Sequence, residues 1–150
     1  MEHRKREEFH QPVTSQSPLS DKEERFLRFQ RVGVMAISAD DGHPRTIPLC
    51  YVLHKGSIYI GTGGRSWKVR RLSQEDRVTF LVHEYSEDWD NLRGIRLSGK
   101  VTILRSGPEY TEAKEALFAK YHQYDTVLEW VDGEDVLMRI GLEGKASWGL

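Results

Sequence analysis

A single cysteine, Cys50, stands in the 150 residues. No intramolecular disulfide can form, so the fold must be held by its own core, and a reducing, cytoplasmic compartment is expected. Long apolar runs are missing too. The longest, Ile47 to Leu53, falls far short of the roughly 20 residues a bilayer-spanning helix needs. The charged N-terminus has no apolar signal region. A soluble protein with no membrane partner is the expectation. Net charge is also nearly absent: 22 basic residues against 23 acidic ones leave −1. That excludes the broad positive field behind tight non-specific nucleic-acid binding, so any cation cluster must be local and no nucleic-acid partner is expected. Histidines 43, 54, 83 and 122 lack metal-ligand spacing, and no metal is expected. Gly64-Arg65-Ser66-Trp67 lacks the second glycine of a nucleophile elbow, which leaves hydrolysis unsupported. No catalytic acid or base stands out.

What remains is a chain long enough to bury a core in one domain. Residues 1–18 are rich in charge, Gln, Ser and Pro without an apolar period and read as a mobile arm ahead of a domain over 19–150. Ser20 with Glu23 forms a capping-box pattern, and Phe26, Leu27 and Phe29 give an apolar side to a helix over 21–30. Three strands then form a meander, over 32–38, 45–54 and 57–62. A short helix over 66–73, a strand over 77–83 and a long strand over 94–105 follow. Gly99 within the long strand predicts a bulge. Pro108 opens a helix running to about Tyr124. Segments 135–142 and 145–148 read as final strands. Connections this short favour antiparallel pairing. The expected fold is mainly β, of the α+β kind: a six-stranded antiparallel split β-barrel with two or three peripheral helices.

The most informative run is Tyr59-Ile60-Gly61-Thr62-Gly63-Gly64-Arg65-Ser66-Trp67-Lys68-Val69-Arg70-Arg71-Leu72. It reads as a strand ending in a Gly-Gly turn that opens a short helix. Backbone N–H groups, hydroxyls and cations meet there, as a phosphate requires. The bland alternative is a solvated amphipathic helix with ordinary surface cations. Buried tryptophans are usually core or interface residues, so Trp67, Trp89, Trp130 and Trp148 need no ligand to explain them. Cys50 is expected to be buried and inert.

Thr62, Ser66 and Lys68, followed by Leu72, resemble the phosphate-binding segment of the pyridoxamine 5′-phosphate oxidase-like split-barrel flavin proteins. The similarity extends to Arg45-Thr46-Ile47-Pro48-Leu49, and to Trp89-Asp90-Asn91-Leu92-Arg93 leading into the strand that holds Gly99. It covers about residues 20–148. The resemblance implies an FMN-binding homodimer with the cofactor near the subunit interface and a small-molecule substrate. Lys68 and Ser66, with Arg45, would hold the flavin phosphate, and Gly61 and Thr62 would add backbone and hydroxyl contacts. The backbone of Thr46, Ile47 and Pro48 would lie along the isoalloxazine ring. Trp67 and, above all, Trp148 are candidate ring contacts. Two departures stand out: Gly94 replaces a family amide side chain, and the C-terminus lacks the oxidase's basic tail. Lys68 to Leu72 followed by Asp76-Arg77-Val78 also resembles members that bind a deazaflavin coenzyme. A flavin carrier without turnover, or a small barrel binding single-stranded nucleic acid, are the alternatives of another class.

Overall fold

Alternation of apolar with polar residues along short segments, broken by Asp-Gly and Lys-Gly turns, gives eight strands, four α-helices and one 3-10 turn at Trp89–Asn91 among the described residues. The computed structural model of the chain describes Thr14–Ser15 and residues 18–150. The arm expected over 1–18 lies largely outside the described residues. The strands are β1 (Thr14–Ser15), β2 (Gly33–Ser38), β3 (Pro44–Leu49), β4 (Val52–His54), β5 (Ser57–Gly63), β6 (Arg77–Glu84), β7 (Arg93–Leu104) and β8 (Asp135–Trp148). The helices are α1 (Asp21–Phe29), α2 (Trp67–Leu72), α3 (Pro108–Lys120) and α4 (Gln123–Thr126).

All named strand pairs are antiparallel, in the order β3-β2-β6-β7-β8-β5-β4, with β1 beside β8. The two edges of this path, β3 and β4, are joined only by Cys50 and Tyr51. Two residues span at most about 7 Å, so the sheet must curl until its edges meet. That is the split barrel. Seven strands lie on the path rather than six because the single strand expected over 45–54 breaks at this corner. The corner also corrects the expectation for Cys50, which is exposed.

Inward-facing Met35, Ile37, Ile58, Ile60, Phe80, Ile95, Leu97, Met138 and Ile140 are fully buried and fill the barrel. A second cluster sits outside it, where Ala113 and Leu117 of α3 pack on Tyr59 and Leu137. The bulge expected at Gly99 is present. Ser98 pairs with Gly144 and Gly99 with Leu142, leaving Glu143 as the extra residue. A Cβ on Gly99 would stand 2.2 Å from the Gly141 carbonyl oxygen, so only glycine fits. Through this bulge β8 runs on as one long strand where two were expected.

The helix expected to reach Tyr124 stops at Lys120. Tyr121 takes an extended conformation, and its hydroxyl donates to the Arg31 carbonyl at 2.7 Å and accepts from the Tyr51 N–H at 3.1 Å. These tertiary bonds pull Tyr121 off the helical path, and α4 starts afresh, giving four helices rather than two or three. At the other end of the domain the capping box forms as expected. Glu23 does more than cap: one carboxylate oxygen accepts from Lys145 Nζ at 2.6 Å and the other from Ser147 Oγ at 2.7 Å. Burial alone would raise its pKa, but these donors and the Ser20 N–H hold the carboxyl below its usual range. Among the described residues, no helix is long and apolar enough to cross a membrane.

Candidate functional site

The strand-to-helix run folds as its residues predict. β5 ends at Gly63, the Ser66 N–H donates to the Gly63 carbonyl at 3.1 Å, and the Gly64 N–H donates to the Glu134 carbonyl at 2.8 Å. A Cβ on Gly64 would lie 2.9 Å from that carbonyl oxygen and 3.1 Å from Arg105 Nη1. Ser66 caps α2, its Oγ accepting from the Val69 N–H at 3.4 Å and from Thr62 Oγ1 at 3.5 Å. A serine hydroxyl has two acceptor positions and one donor. Beyond these contacts the Ser66 hydroxyl has no acceptor among the described residues, and its rotatable proton can turn toward a ligand oxygen.

The cations of α2 and of the sheet divide into two sets. Arg71 is committed to the β2–β3 hairpin, with Nε on the Ser38 carbonyl at 2.6 Å and Nη1 on Asp40 at 2.7 Å. Arg93 is committed to Glu84 at 2.9 Å; Gln30 also donates to that carboxylate, and the two donors keep it below the usual pKa range. By contrast, among the described residues no carboxylate pairs with Arg45, Arg65, Lys68, Arg70 or Arg105. Among the described residues Arg70 donates only to the Arg65 carbonyl, at 2.8 Å. Arg45 lies over the Trp67 ring, 4.3 Å from its centroid, while Trp67 itself packs against the barrel core. Trp67 therefore positions Arg45, since a cation over an indole face is held by the ring's quadrupole. Arg105 is a member that sequence reasoning missed, because it lies far away in the chain and reaches Gly64 only through β7.

Register splits the remaining candidates between two faces. Arg45 pairs with Ile37 and Ile47 with Met35, so these two point to the inner face; Thr46 pairs with Ala36 and Pro48 with Val34, so these point outward. Gly61 does not open on the anion cluster: a Cβ there would meet Trp130 at 2.7 Å and Leu117 at 3.2 Å, beneath α3. On the outer face a cleft of about 340 Å³ is walled by Val34, Ala36, Leu81 and Trp148, with the hydroxyls of Thr46 and Thr79 and the guanidinium of Arg96. Thr46 and Trp148, expected at one site from opposite ends of the chain, do share it. Trp148 also explains Gly94. The two residues pair across β7 and β8, and a Cβ on Gly94 would fall 2.3 Å from the indole ring. The ring fills the space that a side chain at 94 would need. Arg96 is the second residue sequence reasoning missed, although its outward position between Ile95 and Leu97 in an alternating strand was a usable signal.

The structure thus holds a corner rich in cations and hydroxyls and an apolar cleft joined through β3, where Arg45 and Thr46 are successive residues. Comparison with known proteins bears on the fold and the family. Over 96 residues, 60% of this chain, the sequence is 32% identical to the 5a,11a-dehydrotetracycline/5a,11a-dehydrooxytetracycline reductase of Streptomyces rimosus, 67% of whose length is covered. The fold matches a conserved hypothetical protein of Mycobacterium tuberculosis with a TM-score of 0.76 at 22% identity, covering 92% of this chain and 89% of that one. An F420 reductase matches with a TM-score of 0.65 at 17% identity, covering 85% of this chain and 98% of that one. The family model described as pyridoxamine 5′-phosphate oxidase matches residues 19–144. With its split barrel, its bulge at Gly99 and this match over most of its length, the chain belongs to the pyridoxamine 5′-phosphate oxidase family.

Proposed function

We propose that the protein is an FMN-dependent oxidoreductase acting on a small molecule, with the flavin phosphate in the Arg45–Ser66–Lys68 corner and the ring along β3 toward Trp148. One observation carries this reading: Arg45 and Lys68 have no carboxylate partner among the described residues, and the hydroxyls of Thr62 and Ser66 meet at the start of the helix that carries Lys68. Such a donor set fits a phosphomonoester, which carries nearly two negative charges. Three charge-assisted hydrogen bonds at roughly 1.5–3 kcal/mol each give about 5–9 kcal/mol gross, before the costs of ordering and association. Burial of the ring must supply the rest, and the apolar cleft suits it. When bound, the flavin supplies two-electron hydride chemistry; the chain's own residues hold the phosphate, fix the ring and exclude water.

Pyridoxamine phosphate is a poor fit as substrate, because the Trp148 ring occupies the space of the family amide at 94. The outer sheet face is apolar at Val34, Ala36 and Leu81, which supports a homodimer with a second copy against this face and the cofactor near the interface. Lone, exposed Cys50 suits a reducing cytoplasm.

Purified protein should carry flavin absorbance or take up added FMN at micromolar levels. Failure to do either would falsify the FMN reading. Lys68→Ala should weaken FMN at least about tenfold, since one charge-assisted contact exceeds 1.4 kcal/mol.

A deazaflavin coenzyme is the second reading. Five cations without carboxylate partners exceed what one phosphate needs and suit a longer polyanionic tail. The F420 reductase among the similar folds supports the same direction. Titrating apo protein with both cofactors against tryptophan emission decides between them: decisive preference for FMN rejects the deazaflavin.

A further inference from the structure

The corner where β3 turns into β4 gathers three cations that the proposed chemistry leaves unused. Lys120, the last residue of α3, is half-buried. Its Nζ stands 4.0 Å from the Tyr51 ring centroid and 5.4 Å from that of Tyr121, and it donates to the Leu27 carbonyl at 3.4 Å. Arg31 arrives at the same place: its Nη1 donates to the Lys120 carbonyl at 2.9 Å, and its guanidinium carbon lies 5.2 Å from the Tyr121 centroid. Arg28 of α1 adds a third positive charge that acts on the amine. Two like charges thus lean on one ring, and among the described residues none of the three cations has a carboxylate partner. Burial raises the pKa of the Tyr51 and Tyr121 phenols, which stay neutral, and the Cys50 thiol is the other titratable group near the amine. Partial burial and then Arg31 push the Lys120 pKa down to about 8. Such an amine is roughly half neutral at pH 8, where an ordinary lysine, at about 10.4, is neutral in fewer than about one molecule in a hundred.

We propose that Lys120 is a modification site for carbon dioxide, its carbamate supplying the carboxylate that Arg31 and Arg28 lack. The neutral Nζ lone pair attacks the carbon of CO2. An N–C bond forms, one C–O π bond opens onto oxygen, and a proton leaves the nitrogen for water. No oxidant, reductant or activated donor is consumed. Charge selects this electrophile. An aldehyde would give an imine and an acyl donor an amide, and neither carries a negative charge; the carbamate replaces one positive charge with a negative one beside two arginines. The nitrogen keeps one N–H for the Leu27 carbonyl. The new oxygens face the Arg31 guanidinium, which has N–H donors beyond the one spent on the Lys120 carbonyl. Carbon dioxide is small enough to reach a half-buried amine without a preformed cleft. The inference is independent of the flavin reading.

The test equilibrates the full chain with isotopically labelled bicarbonate under a fixed CO2 pressure and traps carbamates as stable ethyl esters with triethyloxonium. Peptide mass mapping then locates them. At pH 8 the label is expected on Lys120 at an occupancy at least about tenfold above that of Lys55 or Lys100, which are exposed. It should rise with pH, because the reaction needs the neutral amine and releases a proton. Arg31→Gln should lower the label at least about threefold. Arg28→Gln should lower it too, and because the Arg28 side chain makes no hydrogen bond among the described residues, this variant reads the charge without loosening the corner. Lys22→Gln, which removes a cation lining a different groove of the same helix, should leave Lys120 labelling unchanged. Absence of label on Lys120 from about pH 7 to 9 overturns the proposal. So does labelling no greater than at the exposed lysines, or labelling indifferent to both arginine variants, since the corner would then do nothing to hold the carbamate. FMN titration of the same proteins is read separately, so that loss of the flavin reading leaves this result standing.

Discussion

Adding one methyl group at position 94 should reveal how tightly this chain has tied Gly94 to Trp148. In Gly94→Ala the new Cβ would stand 2.3, 2.6 and 3.0 Å from three atoms of the indole ring. Carbon–carbon contacts relax at about 3.5–4.0 Å, so the ring must retreat by more than 1 Å along a wall shared with Leu81 and Thr46. Overpacking of this kind costs about 1–3 kcal/mol. In a Trp148→Ala background the obstacle is gone, and the same substitution should stabilise by about 0.5–1 kcal/mol, because alanine loses less backbone entropy than glycine in a strand. The effect therefore changes sign, with a coupling of roughly 1.5–4 kcal/mol between the two sites. Urea denaturation of the four proteins in the cycle measures it. Additive effects, or destabilisation by Gly94→Ala in both backgrounds, would refute the claim that the ring fills the space of the missing side chain.

Other outcomes follow from the same contacts. Glu23→Gln should cost about 3 kcal/mol at neutral pH, because it leaves Lys145, only 17% exposed, without its carboxylate. Glu23 titrates below its usual range in the folded protein, so its contribution is present above the unfolded carboxylate pKa and lost as pH falls through the folded value. The stability gap between wild type and Glu23→Gln should close below about pH 4; a gap that persists in acid contradicts this. Gly99→Ala meets backbone rather than a movable side chain, so thermal melting should show a loss of at least about 2 kcal/mol. Wild-type stability in that variant would mean the bulge can be rebuilt. Lys120, half-buried with its Nζ 4.0 Å from the Tyr51 ring centroid, has its pKa pushed down to about 8 by partial burial and then by Arg31. It should be the lysine that an acylating reagent modifies first near pH 8, as peptide mass mapping would show. Cys50 should react fully with a thiol reagent in native buffer; protection until unfolding would contradict its exposure.

Several features were legible from residues alone. Ser20 and Glu23 announce α1 because a capping box is local: donors and acceptors three residues apart find each other without help from the rest of the chain. Gly99 announced a bulge for a similar reason, since a glycine in an alternating strand is rarely there for packing. The corner of hydroxyls and cations after β5 was readable because Thr62, Ser66 and Lys68 fall within seven consecutive residues. Arg105 was not readable, because it reaches Gly64 from another strand. Nor was the exposure of Cys50, whose apolar neighbours suggested burial until the barrel corner turned it outward.

The sequence by itself determined most of the strand-forming segments, where the long strand bends, and that a cluster of hydroxyls and cations follows β5. Those are consequences of local periodicity, capping and turn chemistry. Only the tertiary structure decided that β3 and β4 close the sheet, that Tyr121 ends α3 by bonding to residues 70 and 90 positions earlier, and that Trp148 fills the space over Gly94. It alone separated the cations already paired, Arg71 and Arg93, from those left open, Lys68 and Arg96. Charge is written in the sequence, but whether a charge is neutralised depends on which distant residue the fold brings beside it.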